Sequence, residues 1–387
     1  MRKILVLFFI LPLAAAVNAQ QDTKPIDLGI FSDAANHWYG INDKDAVIVP
    51  RPGHPKHAPS EITAIADNIL LLQKNNGGWP KNYDVQAILT ADQEDSLRQA
   101  KKILNTTFDN RTTYSQISYL SKVYGISKND KYKDAAEAGL QFIIDAQYSN
   151  GGWPQYYPLE KNYSKCITYN DDAMGGIMWL LKDIADGKPE YSYIKPALRN
   201  KLLKSYEKGL DCILRTQIND AGILTAWCQQ HDEVTLQPAW ARKFEPPSIC
   251  NSESVGIVML LMSIKDPSPE IINAVQSAVK WFNDSKILNT RVKTIEAPEM
   301  LTPYRVSKSD RIVITDAAAP PIWTRYYELK THRPLFCNRD SKVVYSLAEV
   351  DRERRDGYAW YTYEPQKALN AYPKWQQQFA PGKNVLQ

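Results

Sequence analysis

Residues Thr225–Ser254 read TAWCQQHDEVTLQPAWARKFEPPSICNSES. Three Glu, one Asp, one His, one Lys and one Arg stand there among two Trp and three Pro. Charges at that density resist burial, and the prolines forbid one unbroken helix. The stretch is also too aromatic for a plain solvated linker. These residue types suit a structured loop lining a polar cleft, with Arg242 aimed at an anionic group. His231 in the same loop titrates near neutrality and is a second candidate for proton transfer. The competing reading is a surface loop whose charges pair with one another, or a histidine satisfied within its own loop.

A second set of chemistry-bearing residues stands at expected helix starts. Phe108-Asp109-Asn110, Tyr169-Asn170-Asp171 and Cys250-Asn251-Ser252 each precede a helical pattern. Asp and Asn are good N-caps, which gives every copy a purely structural explanation. Gathered in one place, however, carboxylates and amide carbonyls are hard-cation ligands, suited to calcium. Their spacing is not that of an EF-hand loop.

The elements that must position these residues are helices. From residue 60 apolar side chains recur at intervals of three and four, as in Ile62, Ile65, Ala66, Ile69 and Leu70. Similar patterns cover 91–105, 112–125, 130–147, 172–185, 195–216, 253–264 and 268–283, with no convincing period-two run between them. From about 284 the chain is less regular, with turn signals at Ser309-Asp310, Pro320-Pro321 and Asp356-Gly357. An internal repeat punctuates the helices. Gln73 to Trp79 is echoed by Gln147 to Trp153, each ending in NGGWP, and a degraded copy runs from Gln217 to Trp227. In each the helix is expected to end on a glycine in the left-handed conformation. Helix pairs repeating at this long period predict a ring of α-hairpins. Corresponding helix ends would share one face of that ring, beside the Thr225–Ser254 loop.

The N-terminus reads as a secretory signal: Arg2 and Lys3, the apolar run Ile4–Leu13, then Val17-Asn18-Ala19. That run is too short to span a bilayer. The expected organisation is a signal peptide over 1–19, an N-terminal arm over 20–58 and one large domain over 59–387. Export to the periplasm or the medium follows, with no stable membrane insertion once the signal is removed. Loss of Arg2 and Lys3 lowers the formal charge from +4 to +2, which gives no reason to expect nucleic-acid binding. The five cysteines contain no CxxC pair, which excludes a zinc cluster and a dense disulfide framework. One disulfide is compatible with export, and spacing cannot choose its partners.

Six segments occur in the order NGGWPKNY, FDNRTTYSQI, NGGWPQYYP, ITYNDDAM, QHDEVTLQPAWARKFEPPSICNSES and WTRYYEL. Together they resemble the pectate lyases of polysaccharide lyase family 10, and the resemblance covers residue 60 to the end. It implies an all-α (α/α)3 toroid of helical hairpins with long irregular loops. The implied activity is calcium-dependent β-elimination of α-1,4-linked polygalacturonate, giving 4,5-unsaturated products, by a monomer. Carried over by motif, Arg242 resembles the catalytic base. Asp109 and Asn110 resemble ligands of calcium or substrate, Asp171 a calcium ligand, and Arg325 a binder of substrate carboxylate. Arg111 fills a position of the FDNRTT motif where a small residue is expected. Asp232 falls within the resemblance without a settled role and is counted with the substrate-binding candidates. Lys165 and Lys243 would help offset the charge of a polyanionic chain. Trp79, Tyr83, Trp153, Tyr156, Tyr157, Trp227 and Trp240 could line a sugar groove or pack in turns and core.

Two other classes remain. A glycoside hydrolase on a related α-toroid would use Asp171 with Asp232 or Glu253 as its carboxylate pair. A non-catalytic periplasmic protein would bind oligogalacturonate without turning it over.

Overall fold

The structure is a computed structural model that describes residues 24–41, 46–302 and 306–387. The signal segment expected over 1–19 lies outside the described residues. The helices are α1 (Ser32–Gly40), α2 (Ile62–Leu72), α3 (Ala91–Gln99), α4 (Tyr114–Ser127), α5 (Asp130–Ala146) and α6 (Ala173–Ala185). They continue with α7 (Pro196–Thr216), α8 (Asn251–Met262), α9 (Pro269–Asp284), α10 (Arg352–Gly357) and α11 (Pro365–Phe379). Three antiparallel hairpins, α4–α5, α6–α7 and α8–α9, stand side by side. Helices α4, α6 and α8 form the inner row and α5, α7 and α9 the outer row, with α2 packed at one end and α11 at the other. This is the expected α/α toroid.

The repeated turns hold the rows in register. Trp79, Trp153 and Trp227 are fully buried and donate their indole N–H to the carbonyls of Ile69, Ile143 and Ile213 at 2.8, 2.8 and 2.7 Å. These three tryptophans are core, not groove lining. A fourth copy has no visible motif: Trp323 donates to Phe282 O at 2.8 Å from 41 residues away. Each glutamine of the repeat spans two carbonyls. Gln73 Nε2 donates to Gly77 O and Ala135 O, both at 2.9 Å, and Gln147 Nε2 to Gly151 O and Ser205 O, both at 2.9 Å. Gln217 Nε2 donates to Thr225 O at 2.8 Å and to Ala274 O at 3.0 Å. The second acceptor always lies on the next outer helix, so every turn ties two hairpins together.

The glycines do something other than cap. Helices α2 and α5 end on extended Gln73 and Gln147. Gly77 and Gly151 come four residues later, in separate turns with φ of +89° and +96°. A Cβ on either would strike the backbone carbonyl of Ala138 or Lys208. The positive φ therefore serves a close approach to the next outer helix.

A long antiparallel hairpin, Thr290–Leu301 with Val306–Thr315, interrupts the region read as irregular. Almost every residue in it is exposed or half-buried, so no buried face imposes the alternation that marks a strand in sequence. Its tip region is anchored to α10: Ser307 Oγ donates to Asp356 Oδ2 at 2.7 Å, and Arg355 pairs with Asp310 at 2.6 Å. A small sheet in the order 343–344, 334–337, 326–327, 249–250 links this C-terminal part to the start of α8. The arm joins the main core through Phe31, Trp38 and Ile48. All five cysteines are buried, with free thiols.

Candidate active site

The starts of α4 and α6 are built alike. Asp109–Arg111 and Asn170–Asp172 each form a single 3-10 turn before the helix. Asn110, Arg111 and Thr113 have φ of 50°, 60° and 75°, and Asp171 and Asp172 have 51° and 59°. Left-handed residues other than glycine cost on the order of 1 kcal/mol each and persist where their surroundings impose them. None of the three helix starts uses its Asp or Asn as a side-chain cap. The capping explanation is excluded, and these polar groups point elsewhere.

Asp109, Asn110, Asn170 and Asp171 line a cleft of about 220 Å³, together with Arg242 and Glu245 from the opposite loop. Lys81, Gln155, Tyr156 and Tyr163 complete much of its wall. The Asp109 carboxylate is almost wholly buried and ion-paired through Oδ2 with Lys81 Nζ. Its Oδ1 is buried without a hydrogen-bond partner among the described residues. Burial works against the charge on Lys81, and Asp109 outweighs it, so the ammonium pKa is raised. Asn170 Nδ2 donates to Asp171 Oδ2 at 2.5 Å, and Asn110 Nδ2 donates to Asn82 Oδ1 at 3.0 Å. Burial, then the nearby Asp109 charge, pushes the Asp171 carboxyl up to about 6. Two carboxylates that disfavour each other, Asp109 buried with an orphaned oxygen and Asp171 open to solvent, suit a cation. No group of three or more His, Cys, Asp or Glu side chains forms a metal cage among the described residues. Any cation here must take further oxygens from elsewhere.

Across the cleft, Arg242 forms a fork with Glu245: Nε to Oε2 at 2.8 Å and Nη2 to Oε1 at 2.5 Å. The guanidinium also lies over the Phe244 ring at 5.0 Å. Its side chain keeps 44% exposure while Glu245 keeps 2%, so a buried carboxylate presents a half-open cation to the cleft. Burial opposes the charge on Arg242, yet Glu245 more than compensates and raises its pKa. The Glu245 carboxyl is lowered in turn: burial resists its charge, but Arg242 and the Tyr358 hydroxyl, donating at 2.8 Å, overcome it. Tyr358 follows α10, so the long hairpin and α10 together support the arginine.

A neighbouring cavity of about 470 Å³ shares Asn110 and Asp171 with the cleft and adds Arg325 and Glu253. Arg325 Nη2 donates to Glu253 Oε1 at 2.6 Å and to Asn170 Oδ1 at 2.9 Å, and the guanidinium stacks on Tyr358 at 4.8 Å. Its Nε and Glu253 Oε2 are buried without partners among the described residues.

The structure thus gathers Asp109, Asn110, Asp171 and Arg242 in one cleft and Arg325 beside it. It does not gather all the candidates. Asp232 accepts from the backbone of Val234 and Thr235 at 3.0 and 2.7 Å and tightens its own loop. Lys165 pairs with Glu233 at 2.6 Å on the surface. Neither is among the residues lining the cleft. His231 is fully buried and uses both ring nitrogens, with Cys228 N at 3.1 Å and Leu236 O at 2.9 Å. Burial drops its pKa to about 4, which suits a structural histidine. Arg111, at the position where a small residue was expected, pairs with Asp172 at 3.4 Å, and both line the neighbouring cavity rather than the cleft. Lys81, Glu245 and Tyr358 were absent from the sequence candidates. Lys81 stands in the recognised NGGWPKNY segment and Glu245 three residues after Arg242, at helix-like spacing that the prolines obscured. Tyr358 had no local signal.

This ring of helical hairpins is shared with solved polysaccharide lyases, and with the family match it makes this protein a polysaccharide lyase. A Family 10 polysaccharide lyase from Cellvibrio cellulosa superposes with a TM-score of 0.68 at 30% identity, over 80% of this chain and 91% of that one. A mutant of the Cellvibrio cellulosa enzyme, solved in complex with trigalacturonic acid, gives 0.67 at 29% identity, over 82% and 92%. The chain belongs to the pectic acid lyase family, which matches residues 73–369. No curated protein sequence matches it. No helix among the described residues is long and apolar enough to cross a membrane.

Proposed function

We propose that the cleft cleaves α-1,4-linked polygalacturonate by calcium-dependent β-elimination in an exported, monomeric enzyme. The observation that carries this reading is the placement of a buttressed arginine and a carboxylate pair in one cleft. The likeness to a lyase in complex with trigalacturonic acid supports an oligogalacturonide as the ligand. The basic, apolar and small-residue sequence of 1–19 supports export.

Asp109 and Asp171 would hold the calcium ion, with the substrate's own carboxylate supplying further oxygens. Calcium bound there supplies positive charge that acidifies the C5 proton of the uronate. Arg325 lines the cavity beside the cleft, and its Nε–H, without a partner among the described residues, is a donor for a uronate carboxylate. Arg242 is assigned to C5. In the elimination the C5 proton leaves, its electron pair becomes the C4–C5 double bond, and the C4–O4 bond breaks. O4 departs with the electron pair of the C4–O4 bond and takes up a proton. Pairing with Glu245 attaches a condition to Arg242 as base: the neutral form requires that fork to loosen. The signature is a rate that climbs with pH above neutrality.

The test is the ultraviolet absorbance of 4,5-unsaturated product on polygalacturonate. Chelation should abolish it and calcium restore it, with magnesium a poor substitute because it demands a smaller, stiffer shell. New reducing ends without absorbance would mean a hydrolase. Binding without either would mean a carrier.

A further inference from the structure

Helix α1 lies N-terminal to the matched residues 73–369, yet it reaches the catalytic mouth. One of its faces anchors it. Ala34 and Trp38 are buried, Trp38 Nε1 donates to Ile48 O at 3.1 Å, and Phe31 just before it packs on Tyr119 at 5.8 Å. Tyr39 OH adds a bond to Asp84 Oδ2 at 3.1 Å. Another face carries Asp33 and His37, four apart and so one above the other, with the extended C-cap Ile41 just beyond. His37 and Ile41 line the cleft beside Asn82, Asp109 and Asn110. Asp33, with Ser32, lines the neighbouring cavity beside Asp171 and Arg325. A single helical stripe therefore walls both spaces.

His37 has chemistry to offer a sugar. Its Nδ1 lies 2.9 Å from the Asp33 carbonyl, which can only accept, so Nδ1 carries the hydrogen. In the neutral ring Nε2 is then an acceptor, and it has no hydrogen bond within the described residues. A galacturonate ring presents hydroxyl donors, and Nε2 can accept from one of them. Its side chain is about one-third exposed, so the site is open to such a partner.

We propose that α1 is a wall of the substrate cleft and that His37 is a substrate-contacting residue, accepting a hydrogen bond from a hydroxyl of one galacturonate unit. This rests on reading the cleft as a uronate site. The contact fixes a short chain against the wall, whereas a long chain spreads its affinity over more contacts. The test is the Kd of trigalacturonate, by titration calorimetry with calcium present, for wild type, His37→Ala and His37→Gln. Since Phe31 and Trp38 anchor the helix independently of His37, both variants should keep the wild-type melting temperature. His37→Ala should weaken trigalacturonate about three- to tenfold, the worth of one neutral hydrogen bond. His37→Gln, whose Oε1 also accepts, should restore most of that loss. An unchanged Kd in folded His37→Ala, or a Gln variant as weak as Ala, would overturn the contact. Wild type that binds trigalacturonate without making unsaturated product would sink the lyase reading, and the same three Kd values would still decide His37.

Discussion

The inner helices α4, α6 and α8 begin at equivalent places in three hairpins, and they begin differently. The first two are entered through left-handed residues that carry Asp109, Asn110 and Asp171 to the cleft. The third is entered from an extended Cys250 with no positive φ. Its Asn251 is fully buried and donates to Thr324 O at 2.8 Å, which ties α8 to the C-terminal strands. The same Asx-bearing position faces the cleft twice and serves assembly once. What separates them is the backbone: positive φ is tolerated where the Asx group faces the cleft, and absent where an amide merely bonds a carbonyl.

The largest expected effect lies opposite the two strained starts. Arg242→Ala should cut turnover by several orders of magnitude, since positioned proton transfer alone is worth about 10²–10⁴-fold and charge stabilisation adds to it. Arg242→Lys should fail nearly as badly, because a lysine cannot fill the Glu245 fork. Initial rates of unsaturated product at saturating polygalacturonate, with circular dichroism as the control, measure both. Near-wild-type turnover in folded Arg242→Ala would remove the arginine from the chemistry.

Asp171→Asn separates the two kinds of start most sharply. It should abolish most activity by removing a cation ligand, while stabilising the metal-stripped protein. The folded carboxyl sits at about 6 against an ordinary 3.8, so between those values the folded state holds the extra proton. Stability from this group is therefore present at low pH and lost as pH rises from about 4 through 6. At neutral pH the asparagine should be the more stable form, by less than the shift alone implies, because Asp171 is exposed and solvent screens its charge. Denaturant melts of chelated protein at pH 4 and pH 7 test this. A variant less stable than wild type at pH 7 would contradict the picture of a carboxylate held at a cost.

Asn251→Ala should do the reverse, and more mildly. It leaves the Thr324 carbonyl without its donor and should cost about 1–3 kcal/mol, with kcat unchanged in the folded fraction. Thermal melts and specific activity corrected for folded protein report the two halves separately. A selective loss of kcat at full stability would place all three starts in the same functional class.

How much of this was legible in sequence follows the distance over which each contact closes. Trp79 and Trp153 both reach back 10 residues, and their motif is plain. Trp227 reaches back 14 and its motif is degraded, while Trp323 reaches back 41 across an inserted hairpin and leaves no motif. The acidic starts and Arg242 could be found because their local segments are distinctive. The supports could not: Tyr358 meets Glu245 from 113 residues away, and Asp109 finds Lys81 28 residues back, across α3. Nor did the arm's DAANHWYG declare that one face would bury Trp38 while another met the cleft.

The glutamine ties have a direction, and it bears on how the chain is made. Gln73, Gln147 and Gln217 each bond a carbonyl on a helix that lies later in the sequence, 62, 58 and 57 residues further on. A ribosome delivers the N-terminal end first, at roughly 5–20 residues per second. Each turn therefore emerges with an open amide and waits roughly 3–12 seconds for the helix that will close it. The growing end of the ring is always the unfinished one, with an exposed outer-helix edge for chaperones or for its own next hairpin to occupy.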